Sequence, residues 1–297
     1  MKKYNLSMAA TVICMPIFLN IPTANAAMVG TTPDFPLGDT LGVLTGVNPP
    51  PGLYLTPKVT FSEGSGINNA GNPSGSKSRA YGTTMSIIWV PGIKVLGANY
   101  AVRVSGIGPV FLTVKTPHGT YHVTGNPDPA FAPINLSWHI ERHVFADIDI
   151  GVVPPLGQYN VKNIANVGNN HWSIEPTLAV SYLSAKWQGT MQLTFDLNTK
   201  NHAMHYTNGN TYQLEFTLFR NFRHFSFGPV GYYYHQFGND IGSPHLNAGR
   251  PTDIAFGVGA GYDFGMFSVQ SIYVGDIFAR NVTADQRVTL RVTVPFR

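Results

Sequence analysis

The segment Trp187–Asn198, WQGTMQLTFDLN, sorts its residue types by alternate positions. Odd-numbered positions are apolar or glycine, and even-numbered positions are all polar. Because successive side chains of a β-strand point to opposite faces, this segment predicts a strand with one apolar and one polar face. The same alternation recurs at residues 134–141, 173–182, 211–218 and 288–296. The chain is therefore expected to be all-β.

The first 26 residues have the pattern of a secretory signal peptide. Lys2 and Lys3 form a basic start, residues 8–21 are largely apolar, and residues 24–26 (Ala-Asn-Ala) suit a signal peptidase. The single cysteine, Cys14, lies within this segment, so the mature chain is expected to have no thiol or disulfide. No later run of about 18 apolar residues predicts a membrane-spanning helix.

Composition favours a barrel in a membrane over a soluble β-sandwich. Charged residues make up 11% of the chain, well below the roughly 25% of ordinary soluble domains. Mean hydropathy is close to zero, as expected when each strand is half lipid-facing and half wet. No basic stripe interleaves with aromatic residues, so nucleic acid is not an expected partner. A soluble periplasmic sandwich stays open as the alternative.

These patterns predict three regions: a signal peptide at 1–26, an irregular N-terminal arm or small plug at 27–51, and a transmembrane antiparallel β-barrel of about twelve strands at 52–297. The expected strands lie near 52–62, 82–95, 98–115, 132–141, 143–152, 172–184, 186–198, 211–222, 224–236, 251–264, 266–279 and 287–297. Longer polar loops are predicted at 63–79, 117–131, 154–170, 199–210, 238–249 and 280–286. Short turns between them would face the periplasm.

Several segments resemble a known family. They are Asn166-Val-Gly-Asn-Asn-His-Trp172 with Ser173-Ile-Glu175-Pro176, then Gly231-Tyr-Tyr-Tyr-His-Gln236, and the ending Leu290-Arg-Val-Thr-Val-Pro-Phe296. In these motifs the chain is similar, over about residues 49–297, to the outer-membrane proteins named for the meta-pathway of phenol degradation. That resemblance implies a Gram-negative outer-membrane location and passive uptake of small hydrophobic or aromatic compounds. One departure is Arg297, which follows the aromatic residue on which such barrels usually end.

Alternation assigns a set of charged side chains to the lumen face of the predicted barrel. The candidate lumen or substrate-path residues of this kind are Arg103, Glu141, Asp147, Asp149, Glu175, Asp196 and Glu215. Such charges would either pair with one another and wet the pore, or select the solute that passes.

Glycines and tyrosines add a second group of candidates. Gly257, Gly259 and Gly261 share the lumen face of one strand, so this wall would be almost bare. It would form a solute path, or accommodate a plug or bulky side chains opposite. Within Tyr232, Tyr233 and Tyr234, whichever face points inward provides at least one ring for an aromatic solute.

Enzyme chemistry is not expected, and neither a catalytic residue, a metal nor a cofactor is predicted. His118/His122 and His139/His143 would lie about 13 Å apart along a strand, too far to share one ion. The expected partners are outer-membrane lipid and lipopolysaccharide, the outer-membrane assembly machinery and a small hydrophobic or aromatic solute. The alternatives are a structural or adhesive barrel without transport and, more remotely, a barrel lipid hydrolase.

Overall fold

The computed structural model describes residues 33–242 and 249–296, so the predicted signal peptide lies outside the described residues. The strands are β1 (Gly52–Ile67), β2 (Pro73–Val90), β3 (Lys94–Val95), β4 (Ala98–Ile107), β5 (Val110–Thr116), β6 (Gly119–Gly125), β7 (Ala130–Glu141), β8 (Val144–Val153), β9 (Ser173–Leu183), β10 (Trp187–Asn198), β11 (Lys200–Asn201), β12 (Tyr206–Thr207), β13 (Thr211–Phe222), β14 (Phe225–Gln236), β15 (Thr252–Asp263), β16 (Ser268–Arg280) and β17 (Thr283–Phe296). No helix among the described residues is long and apolar enough to cross a membrane.

Twelve of these strands close into an antiparallel barrel, which confirms the predicted fold. The neighbours in order are β1, β2, β4, β7, β8, β9, β10, β13, β14, β15, β16 and β17. The last strand pairs with the first from Leu53↔Phe296 to Gly66↔Thr283, so the barrel has a seam between β17 and β1. Closure leaves no unpaired edge within the ring, which satisfies the backbone without water.

The two faces of each strand differ as the alternation predicts. On β10, Gln192 and Thr194 are buried inside the barrel, whereas Met191 is 58% exposed on the outside. Leu178 and Val180 on β9 and Val258 on β15 extend this apolar outer surface. A polar interior and an apolar exterior are the reverse of a soluble protein and suit a barrel surrounded by lipid.

Short turns and long loops lie at opposite ends of the barrel. The turns 142–143, 184–186, 223–224 and 264–267 lie at one end. The loops 154–172 and 199–210 and the described loop residues 237–242 and 249–251 lie at the other. We call these the short-turn end and the long-loop end. In bacterial barrels the longer loops face the cell exterior.

Three of the predicted loops are wrong, because strands continue through them. β1 and β2 pair as far as Ile67↔Pro73. β5 and β6 form a hairpin, and β5 pairs with residues 77–82 of β2. β16 and β17 leave only residues 281–282 between them. We call the extension formed by residues 61–67, 73–82, 110–116 and 119–125 the outer wing. Residues 63–66 and 74–80 are polar, glycine or alanine on both faces, so this part of the sequence lacks the apolar alternation on which the prediction depended.

The predicted strand 98–115 is interrupted between β4 and β5. Gly108 there has a φ of 131°, and a Cβ atom at this position would lie 2.1 Å from the backbone oxygen of Thr83. Only glycine permits this close backbone approach. The interruption separates the barrel wall from the outer wing.

Candidate functional site

Segment 33–51 lies in the barrel lumen, and we call it the arm. At the long-loop end the backbone N–H of Asp34 donates to Oδ2 of Asp196 (3.2 Å). At the short-turn end Nδ2 of Asn48 donates to the carbonyl oxygen of Asn99 (3.0 Å). Between these points the arm contacts inward-facing side chains of β1, β7, β9, β13, β14, β16 and β17. The arm therefore spans the lumen from end to end.

Asp34 anchors the arm at the long-loop end. Its carboxylate accepts hydrogen bonds from Nδ2 of Asn169 (2.6 Å) and from the Ser173 hydroxyl, and lies 3.3 Å from Nε2 of His171. Burial raises the pKa of the Asp34 carboxyl above its ordinary value, and the nearby His171 and these hydrogen bonds oppose that shift. The partners of Asp34 belong to the motif Asn166 to Pro176, so the residues behind the family resemblance bind the arm.

Three cations hold the middle of the arm from the two seam strands. Nη1 of Arg291 donates to the carbonyl oxygen of Leu41 (3.0 Å), and Arg287 donates to that of Leu37. Lys58 of β1 forms an ion pair with Asp39. Arginine donors on main-chain carbonyls fix the register of the arm against β17 without requiring a particular arm side chain.

Two glycines let the arm backbone come close to the barrel wall opposite the seam. The N–H of Gly42 donates to Oγ1 of Thr217 (2.9 Å), and the N–H of Gly46 donates to Oγ of Ser181 (2.9 Å). Gly42 has a φ of 85°, and a Cβ atom there would lie 2.8 Å from Ile272. Nearby, the N–H of Thr40 donates to Oε2 of Glu215 (3.0 Å).

One side of the lumen is apolar. Leu37 and Leu41 of the arm pack in a buried cluster, which we call the apolar wall. Its members on the barrel strands are Phe219, Val230, Tyr232, Tyr234, Ala255, Ile272 and Val274. A Cβ atom at Gly259 would lie 2.5 Å from both Phe219 and Ile272. The glycines of β15 therefore make room for bulky side chains of β13 and β16.

The neighbouring side of the lumen, on β8, β9 and β10, is acidic. Arg103 and Asp149 form an ion pair (2.9 Å), and Nδ2 of Asn135 donates to both Asp147 and Asp149 (3.1 Å each). The register of β9 and β10 places Glu175 opposite Asp196, since Thr177 pairs with Thr194 and Ile174 with Leu197. We call Asp147, Asp149, Glu175 and Asp196 the carboxylate wall. Each has one carboxylate oxygen that is buried without a hydrogen-bond partner in the described part of the chain.

The predicted lumen residues divide into those inside, one at the rim and one outside. Arg103, Asp147, Asp149, Glu175, Asp196, Glu215, Tyr232, Tyr234, Gly257, Gly259 and Gly261 face the interior. Glu141 ends β7 and is exposed at the short-turn end, beyond the enclosed lumen. Tyr233 lies on the outer face, where its ring is 5.8 Å from that of Tyr212. Consecutive tyrosines on a strand cannot share a face.

Lys58 and Arg287 were not among the predicted lumen residues, although both hold the arm. Alternation could have placed both in the lumen, because Arg287 lies on the same face of β17 as Arg291. Lys58 pairs with Arg291 across the seam. Among the described residues, no group of three or more His, Cys, Asp or Glu side chains is arranged to hold a metal ion.

The fold and the lined lumen together define an outer-membrane β-barrel with an inserted N-terminal segment. The chain belongs to the family described as "Putative MetA-pathway of phenol degradation", whose model matches residues 58–292. Among curated protein sequences, none matches this chain.

Solved structures share the fold. An outer membrane channel from Pseudomonas putida F1 superposes with a TM-score of 0.72 at 15% identity, covering 87% of this chain and 98% of that one. The translocator domain of the autotransporter NalP from Neisseria meningitidis gives a TM-score of 0.51 at 11% identity, covering 84% and 90%. At these identities the likeness establishes the barrel architecture.

Proposed function

We propose that the protein is an outer-membrane channel for passive uptake of small hydrophobic or aromatic compounds, with the arm as its plug. The observation that carries this proposal is the apolar wall, which Leu37 and Leu41 cover. If the arm only filled the lumen, polar side chains on all strands would be sufficient. An apolar side gives a hydrophobic solute a surface to contact. The family name and the similar solved channel support the same function.

The arrangement suggests how a solute would pass. When the arm moves, the apolar wall offers a hydrocarbon-like surface, and the rings of Tyr232 and Tyr234 offer aromatic faces. The carboxylate wall beside it keeps the remaining space hydrated. The glycine positions 257, 259 and 261 would let the solute lie close to the backbone wherever Phe219 turns aside. No step in this passage needs bond chemistry, and we propose transport without catalysis.

The test is solute influx into proteoliposomes that contain the refolded protein, with a small aromatic, a fatty acid and a sugar as probes. L37A/L41A should increase aromatic influx several-fold, because it removes the side chains that cover the apolar wall and weakens the seat of the arm. The matched control is L96A/L156A, since both leucines are more than two-thirds exposed, at 82% and 72%.

Equal influx of all three probes would replace the selective channel with a general pore. No influx of any probe through either wild type or L37A/L41A, in a barrel shown to be folded by its heat-dependent mobility, would contradict transport. It would then favour a structural or adhesive barrel whose outer loops carry the activity.

A further inference from the structure

The outer face of the wing carries an ordered row of aromatic rings. Phe61 of β1 pairs with Tyr81 of β2, and Tyr81 pairs with Phe111 of β5. The three side chains are 42%, 42% and 45% exposed, and the rings of Tyr81 and Phe111 lie 6.0 Å apart. Aromatic rows on the outside of a barrel mark the boundary between hydrocarbon and headgroups. This row therefore sets the level of the membrane surface at the long-loop end.

A cluster of cations lies directly above this row on the same face. Arg79 and Lys77 lie two and four residues before Tyr81 on the same face of β2, which places them about 7 and 13 Å farther from the hydrocarbon. Lys115 of β5 pairs directly with Lys77. All three cationic side chains are exposed. The opposite face of β2 carries only the small residues Ser74, Ser76, Ser78 and Ala80 at this height.

The Lys77–Lys115 pair lacks a carboxylate partner. Like charges directly opposite each other on a sheet destabilise it. In the described part of the chain neither lysine forms an ion pair, and Glu63, the carboxylate nearest along this face, is bound to Arg79 (2.9 Å). Their strand neighbours Ser65 and Thr120 are uncharged. An anion between the two ammonium groups would remove the repulsion.

We infer that the outer face of the wing is a binding site for the phosphorylated glycolipid headgroup of lipopolysaccharide. Acyl chains would lie against Phe61, Tyr81 and Phe111, and a phosphate would bind between Lys77 and Lys115, with Arg79 beside it. Lipopolysaccharide is favoured over a phospholipid for two reasons. The wing projects at the long-loop end, where the outer leaflet lies. Its cations also extend along β2 from Arg79 to Lys77, which suits a sugar headgroup that bears phosphates.

The test is binding of lipid A to the refolded full-length protein in detergent, measured by native mass spectrometry. The probes are bis-phosphorylated lipid A, the same lipid with its phosphates removed, and phosphatidylglycerol. Wild type should bind bis-phosphorylated lipid A most tightly. K77Q/K115Q should weaken that binding about thirtyfold, because two cations facing one anionic surface are lost.

The control K94Q/K162Q removes the same charge from exposed lysines outside the wing and should leave lipid A binding unchanged. A heat-dependent mobility shift on gels, equal to that of wild type, verifies that each variant is folded. Three results would overturn the assignment: equal affinity for dephosphorylated lipid A, equal affinity for phosphatidylglycerol, or an equal loss in K94Q/K162Q. Displacement of lipid A by millimolar inorganic phosphate would also overturn it, because the site would then bind simple anions.

Discussion

At the scale of single residues, Asp34 best explains why the arm stays in the lumen. Its side chain is almost completely buried at the mouth of the barrel and receives donors from Asn169 and Ser173. A buried carboxylate is stabilised only by such hydrogen bonds and a nearby positive charge. The motif that carries the family resemblance is thus explained by what it binds.

The substitutions D34A and D34N separate the hydrogen bonds that Asp34 accepts from the charge of its carboxylate. D34A removes all its acceptors and should weaken arm seating by about 1.5–3 kcal/mol, seen as a higher single-channel open probability in planar bilayers. D34N should have a smaller effect, because the raised pKa of Asp34 shows that the seated state disfavours the charge. By the same sign, arm seating should be favoured at low pH and weaken as pH rises through the pKa of the seated carboxyl.

The exposed carboxylate Asp263, at the short-turn end, provides the control. D263A should leave open probability unchanged. An opening as large in D263A as in D34A, or a larger effect of D34N than of D34A, would contradict the proposed anchor.

At the scale of elements, the turn at Gly42 determines how the arm meets the barrel. The residue has a φ of 85° and donates its N–H to Thr217. Alanine there should cost about 1–2 kcal/mol from the left-handed backbone alone, in addition to its clash with Ile272. G42A should therefore raise small-ion conductance in bilayers while the barrel keeps its heat-dependent mobility.

Gly71 in the β1–β2 turn is a matched control for backbone strain. Its φ is 83°, and a Cβ atom there would meet no atom within 4 Å. G71A carries the same conformational cost outside the lumen, so its conductance should equal that of wild type. If G71A conducts as much as G42A, strain in the fold rather than a loosened arm is responsible.

The sequence predicts elements well where water and lipid impose different requirements on the two faces of a strand. β10 is an example: its residues 187–198 are predicted almost to the residue. β6 was missed because it is only seven residues long and is flanked by Pro117 and by Gly125-Asn-Pro127, which are typical of loops. The arm has no period at all, since its position is fixed by side-chain contacts such as Thr40 with Glu215, which are distant in the chain. Alternation could place Glu215 in the lumen but could not name its partner.

At the scale of the whole molecule, the inward-facing charges are unbalanced. The acidic residues on the strands are Asp147, Asp149, Glu175, Asp196, Glu215, Asp253, Asp276 and Asp285, and the basic residues are Lys58, Arg103, Arg287 and Arg291. Field lines concentrate in a narrow pore with low-dielectric walls. The complete chain thus has a small positive net charge, whereas the lumen that its strands enclose is acidic.

An opened lumen should accordingly prefer cations. In the G42A background, a KCl gradient should give a reversal potential on the cation-selective side. Adding E175Q/D196N should move this potential towards zero, whereas E63Q/D263N, which changes two carboxylates outside the lumen, should not. Anion selectivity in G42A would show that the carboxylate wall does not face the conducting path.

The seam of the barrel has a consequence for how the protein is made. Lys58 and Arg291 pair directly across β1 and β17, and the arm provides Asp39 to the lysine and carbonyl oxygens to the arginine. Without the arm, the first and last strands would meet with like charges face to face. We therefore expect the β1–β17 seam to close less readily when the arm is absent from the lumen, because the like charges of Lys58 and Arg291 then face each other without the oxygen atoms of the arm.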